Sequence, residues 1–547
     1  MTSSSLTGGA AVVESLINNR IDTVFALPGA QLDPVFAALH DRQDRIRTIH
    51  CRHEQGAGYM AWGYAEAGGR IGVLLVVPGP GLLNAASAIA TGYACNAPML
   101  CLAGQGRSAL IGRGYGVLHE IPDQLATART LFKSAGSVTA TADIPQAIAA
   151  AIGRIRERRE RPVYLDLPLD LTAAEHDFAG FPRAGRAEPP PEPAAEAVDS
   201  AAELLLGAAC PLIVAGGGAG AAADGIRELA ELLDIPVAMT ANGLGTLDGR
   251  HRLAFTPSGA YHWWSRADVV LALGTRLYPA LPAWGRDASM SIIRVDIDPA
   301  EVSRLQGEVC SIEGDVGEFV RRLLGALRER KGRQPPDRSV GLDAVRAAVE
   351  RDLEPLGPQR ELLGVIRDEL GEDGVLVSDL TQLHYVAPDA YPVYRPRTFI
   401  HASYQGTLGH AAASSIGVQL AVPNRPVIAL AGDGGFMFTM QELATAVRFN
   451  VPVTWVVMND GAFGNVRRML KEDYGNRVLG ADLSNPDFVR LAESFGIPAR
   501  RATGPEKFRL ALRESIATDG PALVEYVAPE FPSPWPLYFR PRSRGSR

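Results

Sequence analysis

The chain has 547 residues, which exceeds what one hydrophobic core supports, so about three domains are expected. It is 46% hydrophobic and 21% charged, with 57 Gly and 39 Pro, a composition that excludes a disordered or fibrous protein. A formal charge of -7 gives no basic field for nucleic acid, so no nucleic-acid partner is expected. The N-terminal stretch MTSSSLTGGAAVVESLINNR carries no basic region followed by an apolar core, and no uncharged apolar run reaches membrane-spanning length. No membrane partner and a cytoplasmic location follow as expectations. Five scattered cysteines, none spaced as Cys-x-x-Cys, indicate neither a zinc site nor a disulfide framework.

In chain order, short Val/Ile/Leu-rich strands alternate with helical stretches, beginning with VFALPG and then AQLDPVFAALHD. That alternation predicts an α/β protein of three doubly wound parallel-sheet domains with helices on both faces. Two proline-containing segments, RAGRAEPPPEPAAEAVD (183–199) and RERKGRQPPDRSVG (328–341), read as linkers. They place the domains at 1–182, 190–330 and 342–547. In such sheets ligands lie beyond the carboxyl ends of the strands, so the glycine-rich turns at 24–30, 76–85, 212–221, 271–277 and 431–435 are where chemistry is sought.

The last of these turns is the most informative. VIAL (427–430) reads as a buried strand, and AGDGG carries it into a helix whose unpaired N–H groups would suit a diphosphate. Asp433 would repel that anion unless a hard divalent cation lies between them, as Mg²⁺ does with one or two carboxylates plus phosphates. VTWVVM (453–458) reads as the next strand, and its end delivers Asn459 and Asp460 to the same edge. Gly-Asp-Gly, 24 intervening residues and then Asn-Asp resembles the diphosphate and metal motif of thiamin-diphosphate-dependent enzymes, which usually ends in Asn-Asn. The resemblance implies thiamin diphosphate and Mg²⁺ held by Gly432, Asp433, Gly434, Gly435, Asp460, Ala462, Phe463 and Gly464, with Asp433, Asp460 and the Ala462 carbonyl on the metal.

Residues 48–85 resemble the pyrimidine-binding domain of the acetolactate synthase group, in which the Glu of Arg-His-Glu opens a helix. Glu54 is the corresponding residue, and the resemblance makes it the carboxyl group that bonds the aminopyrimidine and promotes loss of the thiazolium proton. Pro80 and Asn84 fall in the same matching stretch. YQGTLGHAAASSIGVQLA (404–421) resembles the segment that bends the cofactor, giving Gly406, Thr407 and Leu408, and SDLTQLH (378–384) resembles a diphosphate-contact strand with Gln382. In that group the pyrimidine domain of one chain faces the diphosphate domain of another, which implies a homodimer at least and commonly a homotetramer.

Side chains over the cofactor decide the reaction. Where acetolactate synthases show Phe-Gln-Glu, this chain has Leu118, His119 and Glu120, and an imidazole there is suited to general acid or base work near neutral pH. Gln31 stands where benzaldehyde lyase has a His, in a place to orient a carbonyl. Met469 replaces the Trp that shapes the acceptor pocket, and Phe132–Lys133 matches a pair of the same group. AGGGAGAAA (215–223) is a weak dinucleotide loop, and 294–305 resembles the stretch near FAD, but 255–268 and 273–285 depart from the flavin pattern, which weighs against FAD. The expected activity is a lyase or carboligase acting on a 2-oxo acid or 2-hydroxy ketone, led by pyruvate condensation and followed by simple decarboxylation and acyloin cleavage. A nucleotide-binding dehydrogenase and a noncatalytic regulator are the readings from other classes.

Overall fold

The computed structural model describes residues 5–185, 189–278, 280–304, 309–330 and 338–545. Parts of both expected linkers, 186–188 and 331–337, and single positions within two segments compared with the flavin pattern, 279 and 305, lie outside the described residues. Three six-stranded parallel sheets occupy the three predicted regions. A short antiparallel pair, Leu6–Thr7 with Glu175–His176, closes the first.

Numbered within each domain, the strands of the first sheet (Thr23–Ala26, Arg47–His50, Gly72–Val76, Met99–Gln105, Ser134–Ser137, Val163–Pro168) lie side by side in the order 2-1-3-4-6-5. The third sheet (Val375–Ser378, Phe399–Ile400, Val427–Gly432, Val453–Asn459, Ala499–Ala502, Ala522–Val527) repeats that order. The middle sheet, from Leu212–Ala215 to Val309–Glu313, runs 3-2-1-4-5-6. Strand order reverses next to strand 1 in each, which opens a crevice at the carboxyl ends of the strands there.

The central strands are almost wholly buried, because helices cover both faces, and so they read as continuous apolar runs, whereas Arg47–His50, Ser134–Ser137 and Ala499–Ala502 at the sheet edges are partly exposed and polar. The first and third domains pack together through helices Glu54–Gly68 and His410–Ala421. Their approach is close because glycine faces backbone: a Cβ on Gly63 would strike the Ser414 carbonyl, and one on Gly417 the Met60 carbonyl. Either substitution would force the helices apart.

SDLTQLH is mostly not strand. The assigned strand stops at Ser378 and Gln382 lies on the turn that follows; the Asp379 N–H makes a last bond to the Leu430 carbonyl while its carboxylate accepts the Leu380 and Gly409 N–H groups. The C-terminal segment is a strap rather than a free tail. Arg540 donates to Asp352 Oδ2 at 2.8 Å and to Ser258 Oγ at 2.6 Å, returning the chain to the middle domain. No described helix is long and apolar enough to cross a membrane.

Candidate active site

In the first domain, the second strand ends at His50 and three residues, Cys51 to His53, lead to the helix that Glu54 opens. His53 caps this helix, its Nδ1 accepting the Gln55 N–H at 3.1 Å. Glu54 is 6% exposed, and its Oε2 accepts from Asn84 Nδ2 at 3.0 Å. Asn84 comes from the helix Pro80–Cys95, which begins with Pro at its first turn, as a fixed φ favours. The resemblance grouped Glu54, Pro80 and Asn84, and the fold brings them together beside the order-reversal crevice.

A residue missed in the sequence holds this arrangement from the other side. Glu442, buried and contributed by the third domain, accepts the Arg52 N–H at 3.1 Å and the His53 N–H at 3.0 Å, and its Oε2 takes the Thr445 hydroxyl at 2.6 Å. Burial raises its pKa, and the hydrogen bonds from Thr445, Arg52 and His53 oppose that rise. Gly56 lacks a Cβ that would collide with this carboxylate. No sequence signal pairs residues about 390 positions apart; only the fold does.

In the third domain, strand 3 runs through Gly432 and Asp433 is the first residue of helix Asp433–Thr439. Its carboxylate is 2% exposed and Oδ2 accepts from Asn485 Nδ2 at 2.6 Å. Asn485 also donates to Asn459 Oδ1 at 3.0 Å, and Asn459 donates to Glu525 Oε1 at 2.8 Å. Asn485 is thus a second residue missed in the sequence, since it lies in a loop with no metal-motif spacing. Burial raises the Asp433 pKa. Asp460 is pushed up to about 6, by burial first and then by the neighbouring Asp433 charge. No ion pair reaches either carboxylate among the described residues.

The surrounding glycines divide their work. A Cβ on Gly434 would strike the Phe463 ring, one on Gly435 would lie 2.8 Å from Asp379 Oδ2, and one on Gly464 would strike the Asp460 carboxylate. Those three make room for side chains rather than for a ligand. Gly432 is the open one, with Thr381 Cγ2 the nearest neighbour of such a Cβ at 3.9 Å. A small cavity beside them is lined by Gln382, Asp460, Gly464, Arg467, Lys471 and Phe531. Gln382 Nε2 donates to Asn465 Oδ1 at 2.9 Å, so it braces the Gly464–Glu472 helix that carries Met469. Ala462 is buried and pairs as an isolated bridge with Asp482.

The remaining expected residues are placed as follows. Gly406 is exposed, Leu408 half-buried, and Thr407 Oγ1 shares a hydrogen bond of 3.1 Å with the Tyr59 hydroxyl of the first domain. Leu118 and Met469 are 63% and 37% exposed. His119 Nδ1 lies 3.2 Å from Gln31 Oε1, and Gln31 Nε2 donates to Leu118 O at 3.0 Å. Both ends of Gln31 are therefore engaged within the chain, which departs from the expectation that it orients a carbonyl. Lys133 donates to the Glu157 carbonyl and, at 2.9 Å, to the Arg159 carbonyl, so it closes a loop away from the site.

Three family models match the chain: the N-terminal TPP binding domain of thiamine pyrophosphate enzymes over 6–127, the central domain over 198–323 and the C-terminal TPP binding domain over 379–526. A protein of Pseudomonas aeruginosa named "Probable 2-ketoarginine decarboxylase" is 33% identical, covering 95% of this chain and 94% of its own length. The acetolactate synthase large subunit of Corynebacterium glutamicum is 31% identical over 97% of this chain and 88% of its own. Acetolactate synthase isozyme 3 large subunit of Escherichia coli is 30% identical over 93% and 92%. With the sheet order, the Glu54 helix and the paired aspartates in hand, the chain belongs to the thiamine pyrophosphate enzyme family, in its acetolactate synthase-like group of 2-oxo acid carboligases and lyases.

Proposed function

We propose that two copies of this chain build two active sites, each joining Glu54 of one copy to Asp433 and Asp460 of the other around thiamin diphosphate and Mg²⁺. The observation that carries the reading is the Asp433–Asp460 pair, one buried and one half-buried carboxylate whose proton affinity is raised and which have no ion-pair partner among the described residues. A hard divalent cation would relieve that repulsion, and Asp433, Asp460 and the Ala462 carbonyl are the groups that would hold it together with a diphosphate. The requirement for a second copy is supported by apolar side chains left exposed on the two cofactor-binding domains, among them Leu83, Leu118, Phe438 and Val466. A homodimer is the minimum, and a homotetramer the fuller expectation.

Once bound, thiamin diphosphate supplies the nucleophilic carbon and the electron sink for breaking the bond beside a carbonyl. The chain's own work is narrower. Glu54, held by Asn84 and by the cap of its helix, holds and returns a proton at the pyrimidine ring. Asp433 and Asp460 fix the cation and with it the diphosphate. The substrate is a 2-oxo acid, and the leading reaction is condensation of a pyruvate-type donor. Simple decarboxylation is the second reading, favoured by His119 where the acetolactate synthase pattern has an amide and by the relative named for 2-ketoarginine.

The test is proton NMR of the holoenzyme incubated separately with pyruvate, a guanidino 2-oxo acid and benzoin. Acetolactate from pyruvate supports the synthase reading, and an aldehyde from the guanidino acid the second. Cleavage of benzoin with both oxo acids untouched would overturn both.

A further inference from the structure

Gln31 and His119 form a pair whose hydrogen-bond directions can be read off one after the other. Gln31 follows the first strand of its domain and is buried. Its Nε2 lies 3.0 Å from the Leu118 carbonyl, which can only accept, so the amide nitrogen must face that oxygen. The amide oxygen then faces His119 Nδ1 at 3.2 Å, and it too can only accept. The hydrogen of the neutral imidazole therefore sits on Nδ1. Among the described residues, no hydrogen bond within the chain occupies Nε2.

The backbone around this pair is equally determined. His119 has φ +68°, the left-handed region that is uncommon for residues other than Gly, although His enters it more readily than most, as Asn and Asp do. Its carbonyl presses on the turn before the Pro80 helix, where a Cβ on Gly79 would strike it. Glu120 staples the loop by accepting the Gly114 N–H at 3.1 Å and the Val117 N–H at 3.0 Å. Strained backbone held by several independent contacts is a mark of a functional site. The same turn runs on to Gly81, where a Cβ would lie 3.5 Å from Glu54 Oε1, and to Asn84, which holds Glu54, so the His119 loop and the cofactor-activating carboxylate lie against one turn.

We propose that Gln31 is a positioning residue that locks His119 in the Nδ1–H tautomer, so that bare Nε2 meets the substrate as acceptor for a hydroxyl proton. The inference rests on the reading of this crevice as the thiamin diphosphate site. An Nε2 acceptor recognises the hydroxyl of a 2-hydroxy ketone or of the alcohol made when a carbonyl is attacked; it offers no hydrogen to a ground-state carbonyl. The pocket is thereby selective for the hydroxylated partner of the reaction.

The tautomer is read by nitrogen-15 NMR of the holoenzyme labelled at histidine, the His119 signals being those lost in His119→Gln. A protonated Nδ1 and a pyridine-like Nε2 are expected in the wild type, with the proton moving to Nε2 in Gln31→Ala. A proton found on Nε2 in the wild type overturns the proposal, and this reading needs no variant at Gln31 to fold. In turnover, Gln31→Ala lowers kcat roughly tenfold to hundredfold with KM little changed, and adds nothing in a His119→Gln background. Additive losses would show that Gln31 acts independently of His119. Should the protein fail to bind thiamin diphosphate, the proposed function falls while the nitrogen shifts still decide the tautomer.

Discussion

In the first domain, strand 3 ends at Val76 and passes through a Pro-Gly turn into the Pro80 helix; in the third, the same strand ends at Gly432 and Asp433 opens the next helix at once. The two sheets are wound in one order, 2-1-3-4-6-5, and both place polar residues at the carboxyl ends of strands around the reversal, Glu54 after strand 2 of the first and Asp433 and Asp460 after strands 3 and 4 of the third. Yet one junction is uncharged and leaves the acid work to Glu54 after strand 2, whereas the other carries the carboxylate itself. A shared topology fixes where chemistry is placed, and a few junction residues fix which chemistry it is. The middle domain, wound 3-2-1-4-5-6, stands outside this pairing. Its glycine loops pack on each other, a Cβ on Gly216 meeting the Gly274 carbonyl, so the loop that read as a dinucleotide signal serves close packing.

The division between the two like domains is best broken at its strongest point. Glu54→Gln keeps the hydrogen bond to Asn84 but removes the titratable proton, so turnover should fall by about 10³ while cofactor affinity, measured calorimetrically, stays within a few-fold. A matching loss of affinity would mean that Glu54 grips rather than activates. Asp433→Ala should do the reverse, weakening Mg²⁺-dependent binding of thiamin diphosphate by about 100-fold or more, with Asp460→Asn far milder because an amide oxygen still ligates. Mixing these two inactive proteins sharpens the comparison. If sites form across copies, subunit exchange restores about a quarter of wild-type activity, since half of the dimers are mixed and each holds one intact site. No recovery would place Glu54 and Asp433 of one chain in the same site.

Smaller effects test the contacts between the domains. Glu442→Ala leaves the Arg52 and His53 N–H groups without their acceptor and should cost about 1–3 kcal/mol in urea unfolding. His410, buried with a ring nitrogen 3.8 Å from Asp379, and the half-buried His401 are lowered to about 3 and about 4 by desolvation. The unfolded chain takes up these protons near pH 6.5 and the folded chain does not, so their contribution is complete above pH 6.5 and lost as the pH falls towards 3. Asp379, pushed up to about 7 by burial, contributes in the opposite sense, at acid pH. The decisive quantity is therefore a difference: His410→Gln should show a smaller drop in Tm between pH 6.5 and 4 than the wild type.

The strands, the turns at their ends and the Gly432–Asp433 and Asn459–Asp460 clusters were legible because each is a local pattern of a few residues. Glu54 was legible only through its matching neighbours, since one glutamate in a first helical turn signals nothing alone. Glu442 and Asn485 were not legible, because their roles exist only once residues tens to hundreds of positions away have been folded against them. The same reason hid the fate of Gln31, whose two ends are taken by the loop at 118–119. Gly434, Gly435 and Gly464 were named only through the resemblance, and the side chains that occupy the space beside them are a packing outcome that spacing does not encode.

The Glu54–Gly68 helix also bears on how the protein is made. All but three of its residues are buried, and the helix that covers its outer face, His410–Ala421, is translated some 350 residues later. At ordinary synthesis rates of about 5–20 residues per second, that is a wait of roughly 20 to 70 seconds. During it, a face made close-fitting by Gly56, Gly63 and their alanine neighbours has nothing to fit, and Tyr59 and Trp62 lack the His410 ring they pack against. The segment that activates the cofactor is thus the part of the nascent chain most in need of a chaperone, and expression at low temperature with slow elongation will lengthen its exposure rather than shorten it.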